Sequence, residues 1–335
     1  MIGGLVRDFQ DPWSHQESFR AGIMKVVVIS SGKYESKLTR IDLHRLWMHR
    51  NETSLPQVMH VQDTSDRCAV AFLVDQHQSP PCRNGDEIAP NAVIVSSINS
   101  HHHYRMPGPT RIASMSLTRP DFVAASRALT GRELAIPEVT RQIPVSEQLL
   151  NRLRQLHTAT CHLAANTPDV LAHPEVAKAM DDELVRAMFG CLVEAETVEI
   201  KNFPHLRMPV MQRFEQAIED ANGQPRYLTE ICTKIGVQER TLRNHCLECL
   251  GMNPHRYLWL RRMNQARHAL SVADPAEKTV TAIANDYGFW ELGRFSVAYR
   301  KLFGEAPSNT LRNPARHEAP AAHSATPAGR LPILP

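Results

Sequence analysis

The residues best able to do chemistry lie in "HCLECLG", His245–Gly251, where Cys246 and Cys249 stand three apart beside a histidine, with Cys232 thirteen residues before the stretch. Thiolates and an imidazole at such spacing can hold zinc. The same spacing also sets two small apolar side chains on the buried side of a helix. A second candidate is "HHHY", His101–Tyr104, three imidazoles in a row. Adjacent strand residues point to opposite faces, so three consecutive histidines cannot converge on one ion; no well-spaced carboxylate or further histidine follows, and the stretch reads as a solvated turn. Cys82 in "PPCRNG" lacks the neighbouring histidine that would generate a thiolate. Trp47 and Met48 in "LWMHR" read as strand core, with an apolar ligand pocket as the alternative. No phosphate-binding glycine loop and no nucleophile elbow occurs.

The 335 residues, 42% hydrophobic and 22% charged, have an ordinary globular balance and room for two domains. No apolar run approaches the roughly 18 residues needed to cross a bilayer. The start, "MIGGLVRDFQDPWSHQ", carries acids and a tryptophan where a secretory leader needs a long apolar stretch. Seven scattered cysteines, an odd number, argue against a disulfide framework and for a reducing cytosol, so a cytoplasmic protein is expected. The net charge of +3 is unevenly spread. Ala221–Arg312 holds 13 Lys+Arg against 8 Asp+Glu, a local +5 that leaves −2 elsewhere, and a basic C-terminal third points to an anionic partner.

Residues 25–117 read as strands. "KVVVIS", "AVAFLVD" and "NAVIVSS" are short Val/Ile-rich runs, "RIASMSL" alternates, and Pro, Gly and Asn clusters separate them. Such a series suggests a β-barrel or sandwich. Residues 119–221 read as helices: a Leu149, Leu150, Leu153, Leu156 stripe, a helix opened by Pro174, and "MPVMQRFEQAIEDANG", closed by Gly223 ahead of a linker. Residues 313–335, rich in Pro and Ala, read as a disordered tail.

The basic third contains an internal duplication. Leu228, Ile231, Cys232, Ile235 and Gly236 recur 52 residues later as Val280, Ile283, Ala284, Tyr287 and Gly288. Each set is a short amphipathic helix stopped by glycine. A second helix follows in both copies, with Leu242, Cys246, Cys249 and Leu250 matched by Phe295, Tyr299, Leu302 and Phe303. Helix, tight turn, helix is the helix-turn-helix plan, and it occurs twice, over 228–250 and 280–303. Cys246 and Cys249 occupy stripe positions held by Tyr299 and Leu302 in the other copy, so they read as buried hydrophobes and no metal is expected. Between the units "HRYLWLRRMNQARHALSVA" reads as a helix of about 28 Å, close to the roughly 34 Å that separates two major-groove contacts on one face of DNA.

"LTEICTKIGVQERTLRNHCLECLGMNPHRYL" and "VTAIANDYGFWELGRFSVAYRKLFGEAPSNTLR" resemble the DNA-binding domain of the AraC/XylS family of bacterial transcription regulators. The skeleton Gly288, Phe289, Phe295, Phe303, Gly304, Pro307 and Arg312 carries the resemblance. It implies an α+β protein: a cupin-like β-barrel sensor with helices over residues 1–205, then an all-α domain over 224–312, two helix-turn-helix units joined by a long helix. It also implies a sequence-specific activator that binds double-stranded DNA and RNA polymerase, dimerises through its N-terminal half and answers a small-molecule effector, with no cofactor. The alternative is a catalytic barrel fused to a DNA-targeting domain. Two positions depart from the family pattern: Gly293 stands where serine is usual and Val297 where arginine is usual.

The outward face of the first recognition helix carries Glu239, Arg240, Thr241, Arg243 and Asn244; Arg suits guanine and Asn suits adenine, so Arg240, Arg243 and Asn244 are the expected base readers. The second offers Glu291, Leu292, Arg294, Ser296 and Val297, with Arg294 expected at a base edge and Arg300 at phosphate.

Overall fold

A computed structural model describes residues 3–194, 201–202, 208–221 and 227–313; the expected tail lies, apart from Asn313, outside the described residues. Among the described residues, thirteen strands form two antiparallel sheets. The larger runs β1 (Gly3–Phe9), β3 (Ser36–Asp42), β4 (Trp47–Thr53), β11 (Thr110–Thr118), β6 (Arg67–Leu73), β9 (Ala92–Val95), β12 (Arg141–Pro144) and β13 (Lys201–Asn202). The smaller runs β2 (Gly22–Val28), β5 (Gln57–Asp63), β10 (His101–Met106), β7 (Cys82–Arg83) and β8 (Asp86–Glu87). The expected β-barrel is thus corrected to two stacked open sheets, the sandwich alternative, because among the described residues no ladder joins the end strands of one sheet to those of the other.

The helices are α1 (Pro12–Glu17), α2 (Arg119–Thr130), α3 (Glu147–Asn166), α4 (Pro168–Ala172), α5 (Pro174–Glu194), α6 (Met208–Glu219), α7 (Leu228–Ile235), α8 (Glu239–Leu250), α9 (Pro254–Val272), α10 (Val280–Asp286), α11 (Leu292–Phe303) and α12 (Pro307–Arg312). Among the described residues, no helix is long and apolar enough to cross a membrane.

Strand alternation sorts side chains into three cores. On β6, Cys68, Val70 and Phe72 pack under α2, α3 and α5, while Ala71 and Leu73 face the smaller sheet. On β2, Met24, Val26 and Val28 fill the space between the sheets, while Val27 and, on β5, Val58 join the core of the C-terminal helices. Four layers result: helices, large sheet, small sheet, C-terminal helices. Both sheets are covered on both faces, which is why "KVVVIS" and "AVAFLVD" read as continuous apolar runs. Helix α6 packs with α7 and α8, its Met211, Phe214 and Ala217 lying in the C-terminal core.

Two side chains fix the layers against each other. Asp181 on α5, fully buried, accepts from the N–H groups of Arg45 and Leu46 in the β3–β4 turn, both at 2.9 Å, and pairs with the Arg45 guanidinium at 2.7 Å. Asn264 on α9 accepts from the Val28 N–H at 3.2 Å and donates to the Val28 carbonyl at 3.1 Å, satisfying the open edge of β2. Trp13 on α1 stacks on His268 of α9 with centroids 3.9 Å apart.

Burial pushes His15, His60 and His157 down to about 4 and His49 to about 3. The unfolded chain therefore takes up protons below its ordinary histidine range, near 6.5, that the fold refuses, and stability falls as pH drops from there towards 4. We predict a lower unfolding midpoint at about pH 5 than at about pH 7 by calorimetry; equal midpoints would contradict this account.

Candidate nucleic-acid interface

Each helix-turn-helix unit turns on one glycine. Gly236 follows α7 at φ 69° and Gly288 follows α10 at φ 74°, the left-handed region that a side chain disfavours. Past each, a backbone N–H folds back on its helix, Val237 to the Cys232 carbonyl at 3.1 Å and Phe289 to the Ala284 carbonyl at 2.9 Å. The turn lays α8 across α7 and α11 across α10.

The buried stripes follow the repeat. Leu242, Cys246, Cys249 and Leu250 on α8 are fully buried, and Phe295, Tyr299, Leu302 and Phe303 on α11 are nearly so. All seven cysteines are free and buried, and burial raises the Cys232 and Cys246 thiols, which keeps them neutral. Cys249 Sγ instead points to the Asn84 carbonyl at 3.6 Å.

On the opposite side of α8, Arg240, Thr241, Arg243 and Asn244 are exposed and Glu239 is half-buried. Arg243 donates to Glu239 at 3.2 Å. On α11, Glu291, Arg294, Ser296, Val297 and Arg300 are exposed, and Arg294 pairs with Glu291 at 3.0 Å. Leu292 is half-buried against the C-terminal core. Val297 is 71% exposed, and so is Trp290 in the turn before α11. The sequence reading missed Trp290; its place in the turn ahead of a recognition helix was the available signal.

Helix α9 runs unbroken for 19 residues between the units. Tyr257 and Leu260 enter the core near the first, while the Arg262 guanidinium lies 5.3 Å from the Phe289 ring and that of Arg267 4.7 Å from the Phe303 ring of the second. The basic faces of α8 and α11 stay in solvent although α6, α8 and α9 dock on the small sheet.

That docking centres on Glu215 of α6, 1% exposed. Its Oε1 accepts from His103 Nε2 on β10 at 2.9 Å and from the Tyr257 hydroxyl at 2.8 Å. Its Oε2 pairs with Arg261, which also reaches Glu219 at 2.5 Å. Burial opposes the Glu215 charge, but Arg261, His60 and His103 outweigh it and hold the carboxyl well below its usual range; Glu215 in turn drives Arg261 upward against burial. "HHHY" is therefore no solvated turn. It lies in β10, with His102 and His103 buried, and its partners His60 and Glu215, 43 and 112 residues from His103, were invisible as spacing. His60, His103 and Glu215 bring ligand atoms within 4.8 Å of one another. A divalent cation there would press on the Arg261 guanidinium already paired with the same carboxylate, so the group fits an ion-pair cluster better than a metal site.

Residues 231–313 match the family profile described as a helix-turn-helix domain. Over this region the chain is similar to regulators of the AraC/XylS family. Over 215 residues it is 31% identical to the "Probable thc operon regulatory protein" of Rhodococcus erythropolis, 62% of either chain. Over 104 residues it is 35% identical to the XylDLEGF operon transcriptional activator of Pseudomonas putida, 31% of this chain and 32% of that one. The shared stretches thus span under two thirds of these relatives' own lengths. The solved AraC-like transcriptional activator CuxR overlays at TM-score 0.39 and 14% identity, over 78% of this chain and 94% of that one, an overlay too loose to bear on the architecture.

If Arg243 reads a base edge, Arg243→Ala costs on the order of 1–3 kcal/mol on a cognate site and relaxes choice at one base pair. Titration against a substituted-site library checks this, and an unchanged affinity and base preference would remove Arg243 from the reading set.

Proposed function

We propose that the protein is a cytoplasmic, sequence-specific regulator of transcription that binds double-stranded DNA through α8 and α11 in successive major-groove segments. The observation that carries the reading is the pair of exposed arginine-bearing faces, Arg240 and Arg243 on one helix and Arg294 and Arg300 on the other, set at the two ends of one continuous α9. Guanidinium groups give bidentate contacts to guanine and charge contacts to phosphate, and a rigid spacer fixes the step between them. The exposed Val297 suits a thymine methyl, and Gly293 leaves room for close backbone approach to phosphate. The two relatives, an operon regulatory protein and an operon transcriptional activator, support the same reading.

In this reading the N-terminal half, residues 1–205, dimerises the chain and receives a small-molecule effector, and DNA-bound protein recruits RNA polymerase as an activator. Genome-wide mapping of bound DNA followed by footprinting tests it. The expected footprint is two protected segments on one face, about one helical turn apart. A protein that binds no DNA site above random sequence overturns it. For the phosphate contact, Arg300→Ala is expected to weaken all sequences alike and lower the salt slope by about one; a sequence-selective loss reassigns Arg300 to base reading.

A further inference from the structure

The duplicated units carry different chemistry on their outer faces. The offset of 53 that matches Leu242 to Phe295 and Cys246 to Tyr299 also matches Arg240 to Gly293, Arg243 to Ser296 and Asn244 to Val297. Positions that hold two guanidiniums and an amide on α8 thus hold bare backbone, a hydroxyl and an isopropyl group on α11. A Cβ built on Gly293 would meet nothing within 4 Å, so that position is open as well as small. Arg and Asn pick out guanine and adenine by paired hydrogen bonds, whereas valine can offer a base only apolar contact.

The turn before α11 differs as well. Four residues separate Val237 from Leu242, and five separate Phe289 from Phe295. The backbone closure is the same in both units, the Val237 N–H on the Cys232 carbonyl and the Phe289 N–H on the Ala284 carbonyl, so the extra residue lies beyond it. Trp290 opens this longer stretch and is 71% exposed, as is Val297 on the helix itself; among the described residues, Tyr227 is the one large apolar side chain exposed further. The other three tryptophans each have a partner on the ring. Trp13 has His268 at 3.9 Å, Trp47 has Arg20 and Arg67 at 3.9 and 4.0 Å, and Trp259 has Arg256 at 4.4 Å. An indole left in water keeps a large apolar face wet until a binding partner covers it.

The surroundings of the two side chains identify the partner. Over residues 290–303 the exposed charges are Arg294, Arg300 and Lys301 against Glu291, a cationic border around two apolar groups. A polyanion with apolar groups recessed between its charges complements such a border. The major groove of DNA is built that way: phosphates line its edges, and each thymine sets a 5-methyl group on its floor.

We propose that Trp290 and Val297 form an apolar edge with which α11 reads thymine 5-methyl groups, so that the second unit selects thymine by methyl contact where the first selects its bases by hydrogen bonds. The inference rests on the regulator reading and names the DNA chemistry that its second unit takes.

The test starts from a library of random duplexes enriched on the full chain. In the enriched duplex each thymine is replaced singly by deoxyuridine, which keeps every hydrogen-bonding group and removes the methyl alone. At two or more thymines of one protected segment the replacement is expected to weaken binding about fourfold each, as the loss of one buried methyl implies. Trp290→Ala is expected to make thymine and deoxyuridine equivalent at one of these positions, and Val297→Ala at another, with the base preferences of the other segment unchanged. Trp290→Phe, which keeps a ring, is expected to retain the sensitivity. Thymines that all tolerate deoxyuridine, or variants whose sensitivity to the methyl persists, overturn the proposal, and a Trp290→Ala chain that binds DNA as the parent does assigns the indole to a protein partner instead. A library that yields no enriched duplex overturns the regulator reading and this proposal with it. An enriched duplex whose methyls are silent overturns this proposal alone.

Discussion

Glu215 carries a full negative charge where water cannot reach it, and the joint between the two halves of the molecule is organised around that fact. A buried carboxylate is tolerable only if its lone pairs are filled and its charge balanced. Arg261 balances it; His103 and Tyr257 fill it. These partners come from α9 and from β10, so one atom group dictates how α6, the spacer helix and the small sheet meet. Such a cluster adds little net stability compared with a well-packed apolar substitute, yet removing one partner from a buried pair costs about 3–5 kcal/mol. Its contribution is therefore to choose one docking geometry over neighbouring ones. Asn264 on the β2 edge and Trp13 on His268 reinforce the same choice from the other end of α9.

The four-layer stack follows from this joint. Once the C-terminal helices cover the small sheet, neither sheet has a solvent face across its centre, and each strand must satisfy two apolar neighbours. Where a strand also carries polar residues, these end up buried with partners: Arg83 with His102 and Ser96, His103 with Glu215. Polar residues in the small sheet accordingly occur on both of its faces, one turned to the large sheet and one to the helices. The arginine-bearing faces of α8 and α11 escape the burial because α6, α9 and the end of α8 supply the docking contacts, leaving the start of α8 and the outer side of α11 in water.

The helical third was legible because its information is local. A 3.6-residue stripe, a glycine stop and a repeat offset need only neighbouring residues, so α7, α8, α10, α11 and the core placement of Cys246 and Cys249 could be read directly. The long apolar strands β2, β6 and β9 were legible for the same reason. Strands β1, β3, β5 and β10 were not, since "SKLTRID", "QVMHVQD" and "HHHYRM" mix polar with apolar residues and show no hydrophobic period. Their polar side chains are buried by partners far along the chain, and a single sequence offers no sign of those partners.

Sequence by itself determined the two helix-turn-helix units, their spacer and the identity of the side chains on their outer faces, because helix periodicity and tight turns are short-range physics. Tertiary structure alone decided that the strands stack as two open sheets, that His60, His103, Glu215 and Arg261 share one buried charge cluster, and that Arg83 is buried beside His102. Those groupings depend on which distant residues compensate a desolvated charge, and only the folded chain brings the compensating groups within hydrogen-bond range.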